Sequence, residues 1–463
     1  MNFFEDEMEK LLEKAEGLDA SYAGVLYQRR DSEGVEVNNK ALKSYNSRSF
    51  SGLGVRVVHG GAPGYASTSD MSREGMKTCL EQSVKAARSM ASAEDEALRP
   101  IEVNAADVGV SMKVNPFDVP PEEKVSLVLD ADEAAWNSDS IRSTRTRLGF
   151  TVDERVFLSS EGASVRVVTP LLGFGHSSVA ETRGVKESIY DGKSMCSGYE
   201  FIEGQDWNDF ASGVSDLAVE AVASKSAPPG PYPVVVDQNI VGLVLHEALG
   251  HATEGDIVAT GGSVLKGKLG TGIASDHVTI VDEGVVEGGY YYPYDEEGAK
   301  KGRTVLVEKG ILKGYLTDRR SASRLDMEST GNGRSQDFEN FPIVRQTNYY
   351  MQPGDHSLEE LVEGVDLGIL VLGRGMRGGD VDSGMGTFTF GVGPSRMIRD
   401  GEAQELVRGV VISGSVLDVL KTVDAVGDDF KMRPSNCVKN AQQVNVGMGG
   451  PSIRALRMTV GGQ

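Results

Sequence analysis

The sequence predicts an α+β protein in two domains, each built mostly of antiparallel sheet with a few helices. Three observations carry that expectation. Glycine fills 57 of the 463 positions and recurs between short β-type runs, the pattern of tight turns in antiparallel sheet. Stretches with helical periodicity are few, and the strands between them are joined by hairpin-length connections rather than crossovers. Residues 224–237, SKSAPPGPYPVVVD, place three prolines around a glycine after a helix and before a strand. That break sets the domain junction: an N-terminal α+β domain over 1–225 and a C-terminal domain over 226–463.

Residues 2–16 read as an amphipathic helix, with Met8, Leu11, Leu12 and Ala15 on one face. Strand-like segments follow at AGVLYQ, VEVNNKALKSYNSR and GVRVVHGGAPGYAST, then a second helix over 71–91. A third helix starts near Pro120, with acidic residues in its first turn. From Ser140 the alternation of strands and turns returns, and a helix over 206–224 closes the first part. The second part opens with a strand over 232–236 that passes straight into a helix. Hairpins are expected around Gly284 and Gly310. Ser357 and Glu360 are placed as a capping box for a short helix. Strands at 369–372, 387–390 and 405–412, a helix at 416–426, a loop bearing Cys437 and a strand at 453–460 complete the chain.

Composition narrows the function classes. The net charge of −21 is spread along the chain and argues against nucleic acid or an anionic membrane as the main partner. No apolar run approaches the ~20 residues of a membrane-spanning helix. The N-terminus, MNFFEDEMEKLLEKAEG, is acidic and amphipathic and lacks the basic region of a signal peptide, so a cytoplasmic location is expected. Cys79, Cys196 and Cys437 are odd in number and scattered, which predicts free thiols rather than a disulfide framework.

The chemistry concentrates in IVGLVLHEALGHATEGD, residues 240–256. The first half of this stretch is apolar on every face, which marks a buried helix. His246, Glu247 and His251 inside it are costly unless they are paired or bind a metal. Two imidazoles and a carboxylate within six residues point to the metal, with His246 and His251 as nitrogen ligands and Glu247 acting on a water. The spacing is H-E-x-x-x-H rather than H-E-x-x-H. Histidines five apart lie about 140° apart on an ideal α-helix, so both reach one ion only through a π-bulge or a helix end near Gly250. The bland alternative is two unrelated histidines, one in the core and one at a helix end.

A catalytic metal normally takes three protein ligands. Glu254, Asp256, His277 and Cys437 are candidates for the third, and spacing does not choose among them. Residues 329–350 form a long polar loop with Arg334, Arg345 and Asn348, which is either functional or plain surface. Asp380 and Asp382 fit turn residues better than a second metal site. Gly373, Gly375 and Gly378 match G-x-G-x-x-G, but no helix follows to bind a pyrophosphate, and the dinucleotide reading fails.

Together these stretches resemble the TldD/PmbA family, also described as modulators of DNA gyrase, in its motif-bearing TldD-type members. The resemblance runs nearly end to end. It rests on GVRVV at 54–58, HEALGHATEGD at 246–256, YDEEG at 294–298, GYLTDRRSA at 314–322, TGNGR at 330–334, RQTN at 345–348 and the ending GGPSIRALRMTVGG. It implies a zinc metallopeptidase with Zn2+ held by His246, His251 and Cys437, and with Glu247 as general base. It also implies a homodimer, or a heterodimer with a motif-lacking paralogue, acting on peptides or unfolded proteins. Two rivals remain at this level, beside the weaker one of a regulator acting directly on DNA. One is a metal-dependent amidase of small substrates; the other is a non-catalytic subunit whose metal is structural.

Overall fold

The computed structural model describes residues 3–90, 97–376 and 378–462. The first part is organised by one seven-stranded sheet. Its long path runs Ala62–Thr68, Ala41–His59, Tyr22–Asn38, Ile141–Ser159 and Ser164–Thr182, antiparallel throughout. Ala105–Gly109 and Val185–Met195 both pair with the last of these, the former in parallel. Two helices, Phe3–Glu16 and Arg73–Met90, cover one end, where Met8, Leu11, Leu80 and Val84 meet Val25, Leu53 and Val55. Pro121–Ala134 and Trp207–Ala223 cover the other, over Leu148, Phe150, Leu172 and Phe174. The latter helix is capped by Asp206, whose side chain accepts from the Asp209 N–H.

Two larger sheets and a two-stranded one, Gly333–Arg334 with Ile343–Val344, form the second part. In one, Thr387–Arg399, Leu367–Val371, Gly230–Val236, Ile453–Gly462 and Glu402–Ser415 pair in that order, and the last pairs back with the first. The ring has no open edge along these five strands, so their inward residues fill a closed core that includes Val234, Ile369, Phe390, Ile412 and Val460. The other sheet runs Ile311–Leu312, Arg303–Glu308, Ile280–Glu283, Asn348–Met351, Gln442–Gly450 and Lys431–Lys439, so Lys431–Lys439 is its edge.

The glycine-rich turns resolve into a repeated device. Asn39–Lys40, Gly60–Gly61, Arg183–Gly184, Lys309–Gly310, Asp400–Gly401 and Asn440–Ala441 each have φ > 0 at both residues and join strands paired on either side. These are two-residue hairpins of the kind whose twist matches that of the strands.

Four local expectations change. Gly284 ends a strand rather than turning a hairpin; Ile280–Glu283 pairs instead with Arg303–Glu308 and Asn348–Met351. The helix at Val416 stops at Lys421, and Val423–Val426 becomes a strand against Ile453–Gly462. Cys437 lies in the strand Lys431–Lys439, not in a loop. Its alternation is hidden by polar residues on the outer face and by a turn, Asn440–Ala441, that lacks glycine. Finally, 329–350 is no surface loop. Arg334, Arg345 and Phe338 are buried in it, and Phe338 stacks on Phe50 with ring centroids 4.8 Å apart.

Candidate metal centre

The strand Gly230–Val236 delivers the chain to Asp237, whose carboxylate accepts from the Asn239 N–H and starts the helix Gln238–Leu245. That helix lies so close to Gln442–Gly450 that a Cβ on Gly242 would sit 2.2 Å from the Gly449 nitrogen. From His246 to Gly250 the helix widens into a π turn, and the His251 N–H donates to the His246 carbonyl. The i→i+5 bond brings the fifth residue back to the same face, and the two imidazole centroids lie 5.0 Å apart. Gly250 itself has ordinary helical angles, φ −57° and ψ −49°. Glycine is required there for space, because a Cβ would meet the Gln346 Oε1 at 2.1 Å.

Cys437 arrives from the edge strand of the second sheet, 2% exposed, among Val444, Val446, Met448 and Leu243. Its Sγ is 3.5 Å from His251 Nε2. Ligand atoms of His246, His251 and Cys437 all fall within 4.8 Å of one another. Tetrahedral zinc with bonds of about 2.0 Å to nitrogen and 2.3 Å to sulfur sets such donors roughly 3.5 Å apart. His246 is fully buried and neither of its ring nitrogens has a hydrogen-bond partner. An imidazole orphaned on both nitrogens is costly in a core and fits a ligand position.

Neighbouring groups hold these donors. Glu254, fully buried, accepts from His251 Nδ1 at 3.0 Å and pairs with Lys439 Nζ at 2.9 Å. That bond orients the ring so that Nε2 faces Cys437, as carboxylate partners orient metal-binding histidines elsewhere. Arg345 donates to the carbonyls of Cys437 and Gln442, at 2.7 and 3.1 Å, fixing the hairpin on both strands. Gln346 donates to the His246 carbonyl at 3.3 Å. Burial alone would raise the Cys437 thiol; the adjacent His246 and His251 rings outweigh it and bring the group to about 4. Burial likewise raises Cys79 and Cys196, to about 12 in each case, with no such compensation. The His251 ring is pushed down by burial but raised well above its usual range by Glu254 and the thiol. Thiolate and protonated imidazole thus stabilise each other, and a divalent cation would take the place of the proton they share. Glu247 Oε2 is 3.8 Å from His251 Nε2, and its side chain keeps 34% of its exposure.

Of the four candidates for a third donor, only Cys437 joins the histidines in this cluster. Glu254 supports His251, Asp256 pairs with Lys439 at 2.8 Å, and His277 is half exposed beside Asp276. Asp382 accepts from the N–H groups of Gly384 and Met385, the turn role expected. Gly378 opens a strand, Gly378–Asp382, rather than a helix. Gln346 and Lys439 escaped the sequence reading, since a lone glutamine or lysine carries no pattern of its own.

An α+β fold with two histidines of a π turn facing a remote cysteine has the donor set of a metal-binding protein. The chain belongs to the PmbA/TldD metallopeptidase family. Its residues 23–87, 114–225 and 229–462 match the family's domain 1, central domain and C-terminal domain, described as PmbA/TldA metallopeptidase. It is 36% identical to a metalloprotease of Methanothermobacter thermautotrophicus over 447 residues, covering 95% of each chain. It is 28% identical to the zinc metalloprotease TldD homolog of Saccharolobus solfataricus, over 98% of this chain and all of that one. The fold matches the crystal structure of TldE from Thermococcus kodakarensis with a TM-score of 0.76 at 21% identity, over 98% of this chain and 100% of the other. Among the described residues no helix is long and apolar enough to cross a membrane.

Proposed function

We propose that this protein is a zinc-dependent peptidase, with its chemistry in the part spanning 226–463. The observation that carries the reading is the convergence of His246, His251 and Cys437 around a buried imidazole with no other partner. His246, His251 and Cys437 would hold the metal, and three donors fall one short of a closed structural site. When bound, the zinc supplies Lewis acidity toward water and a substrate carbonyl. Glu247 lies beside the donors and reaches solvent, so its carboxylate can take the proton of the attacking water and pass it to the leaving amine. Glu254 holds His251 in register while this happens.

A peptide suits the surroundings. Cys437 sits on the edge strand of its sheet, where an extended chain can add by backbone hydrogen bonds with little demand on sequence. A cleft of about 710 Å³ runs beside that strand, walled by Gly173, Phe174, Lys193, Arg433 and Asn436. Unfolded or flexible polypeptides are therefore the proposed substrates. A dimer, with a second copy or with a TldE-like paralogue, is the proposed assembly, in keeping with the likeness to TldE.

Elemental analysis is the deciding experiment. About one zinc per chain is expected in the wild type, lost in His246→Ala and in Cys437→Ser. Glu247→Gln is expected to keep the zinc and lose peptide hydrolysis, by 10²-fold or more for a general base. Full hydrolysis by Glu247→Gln would sink the mechanism.

A further inference from the structure

Behind the hairpin that carries Cys437 lies a second polar cavity, of about 270 Å³. It is lined by Arg30, Arg155, Arg334, Tyr290, Tyr292 and Gln443, among others. Two of the arginines are neutralised. Arg30 and Arg155 share Asp153, each at 3.1 Å, and Arg155 also pairs with Glu296. Arg334 is different. It is 2% exposed, and among the described residues no carboxylate lies within ion-pairing distance of it.

The guanidinium of Arg334 is fixed but not saturated. It donates to the carbonyls of Gln346 and Asn445 and stacks on Tyr292, its carbon 3.9 Å from the ring centroid. Its Nε is buried without a partner. A guanidinium has five N–H donors in a planar fork, and the carbonyls use two of them. Burying such a cation without a counter-charge is expensive. Asp153 and Glu296 pair with two of the three arginines on the cavity wall, and Arg334 is the one left without a carboxylate.

We propose that this cavity is a binding site for a small carboxylate, held by Arg334. The single unbalanced charge matches a monoanion, the fork matches the planar geometry of a carboxylate, and the volume admits the end of an amino acid or short peptide. None of His246, His251 and Cys437 lines the cavity, which Val444 and Asn445 reach from the strand paired with that of Cys437. Gln443, exposed at the rim, marks its opening.

The test is calorimetric titration of the zinc-loaded protein at constant ionic strength. N-acetylglycine serves as the carboxylate, N-acetylglycinamide as its neutral counterpart and inorganic phosphate as the competing oxyanion. Saturable binding of one N-acetylglycine per chain is expected, with none for the amide. Arg334→Lys and Gln443→Glu are each expected to weaken it at least tenfold. Gln443→Glu adds a negative charge at an exposed position, so it decides the matter even if Arg334→Lys does not fold. Absence of saturable binding would overturn the proposal. So would unchanged affinity in Gln443→Glu, which would place the anion at the zinc or elsewhere, or a preference for phosphate over the carboxylate.

Discussion

Glu254 shows how much of the proposed metal centre depends on a residue that need not touch the ion. Its carboxylate fixes His251 through Nδ1 and is itself anchored by Lys439. Glu254→Gln keeps the shape but weakens both contacts. Zinc affinity is expected to fall 10–100-fold, measured by competition with a chelator. At this scale His246, Glu247 and His251 stood out in the sequence as candidates, because ionisable groups in an apolar helix demand an explanation. The proposed third donor was not fixed by the residues alone. Cys437 meets His251 across 186 positions of chain, and only the pairing of two sheets brings it there. Local pattern has no access to such a contact. The family resemblance pointed to Cys437; the residues by themselves left four candidates open.

Among the elements, the turn at His246–Gly250 shows how H-E-x-x-x-H brings both imidazoles to one face. The extra residue is absorbed by the i→i+5 bond, and the turn packs directly on the Gln346 side chain because Gly250 carries no Cβ. Gly242→Ala would force the helix off Gln442–Gly450 by pressing a methyl on the Gly449 backbone. A stability loss of roughly 1–3 kcal/mol is expected, seen in chemical denaturation, together with weaker zinc binding. The turn Asn440–Ala441 invites the opposite change. Ala441 has φ 60°, a region that costs a residue with a Cβ about 1 kcal/mol. Ala441→Gly is expected to stabilise by roughly 0.5–1 kcal/mol, read as a higher denaturant midpoint. Four of the six two-residue turns contain glycine, and of these Lys309–Gly310 was legible as a hairpin, while Gly60–Gly61 lay inside a stretch read as strand. The two without it, Asn39–Lys40 and Asn440–Ala441, hid their hairpins.

The whole molecule is joined by residues that read as motif or loop in the sequence. Glu297 of the YDEEG stretch pairs with Arg56 and accepts from the Arg319 N–H, while Arg319 forks onto Glu161 at 2.7 and 2.9 Å. Phe338 fills a socket at Gly52 and Phe50, with its N–H on Gln28. Phe338→Ala is expected to cost about 3–5 kcal/mol in thermal or chemical unfolding. Asp282 and Lys301 form a wholly buried pair 3.0 Å apart, just below the strand Asn348–Met351. Burial raises the Asp282 carboxyl, but Lys301, Asn332 and Thr347 outweigh it and hold it below its ordinary value. A lowered carboxyl contributes stability above pH ~4 that fades as the pH falls below it. Asp282→Asn is expected to remove that acid sensitivity and cost about 3–5 kcal/mol at pH 7, because Lys301 would stay buried alone. The fold class was legible from turns and periodicity, but the closed five-stranded ring was not, since its pairing order is not the chain order. That order also governs biosynthesis. The strand Ile453–Gly462 slots between Gly230–Val236 and Glu402–Ser415, more than two hundred positions after the first of them is made. At about 5–20 residues per second a ribosome needs roughly 10–40 s to go from His251 to Cys437. A nascent chain therefore lacks its complete donor set until the second part is nearly finished, and the proposed peptidase stays unarmed beside its own unfolded segments.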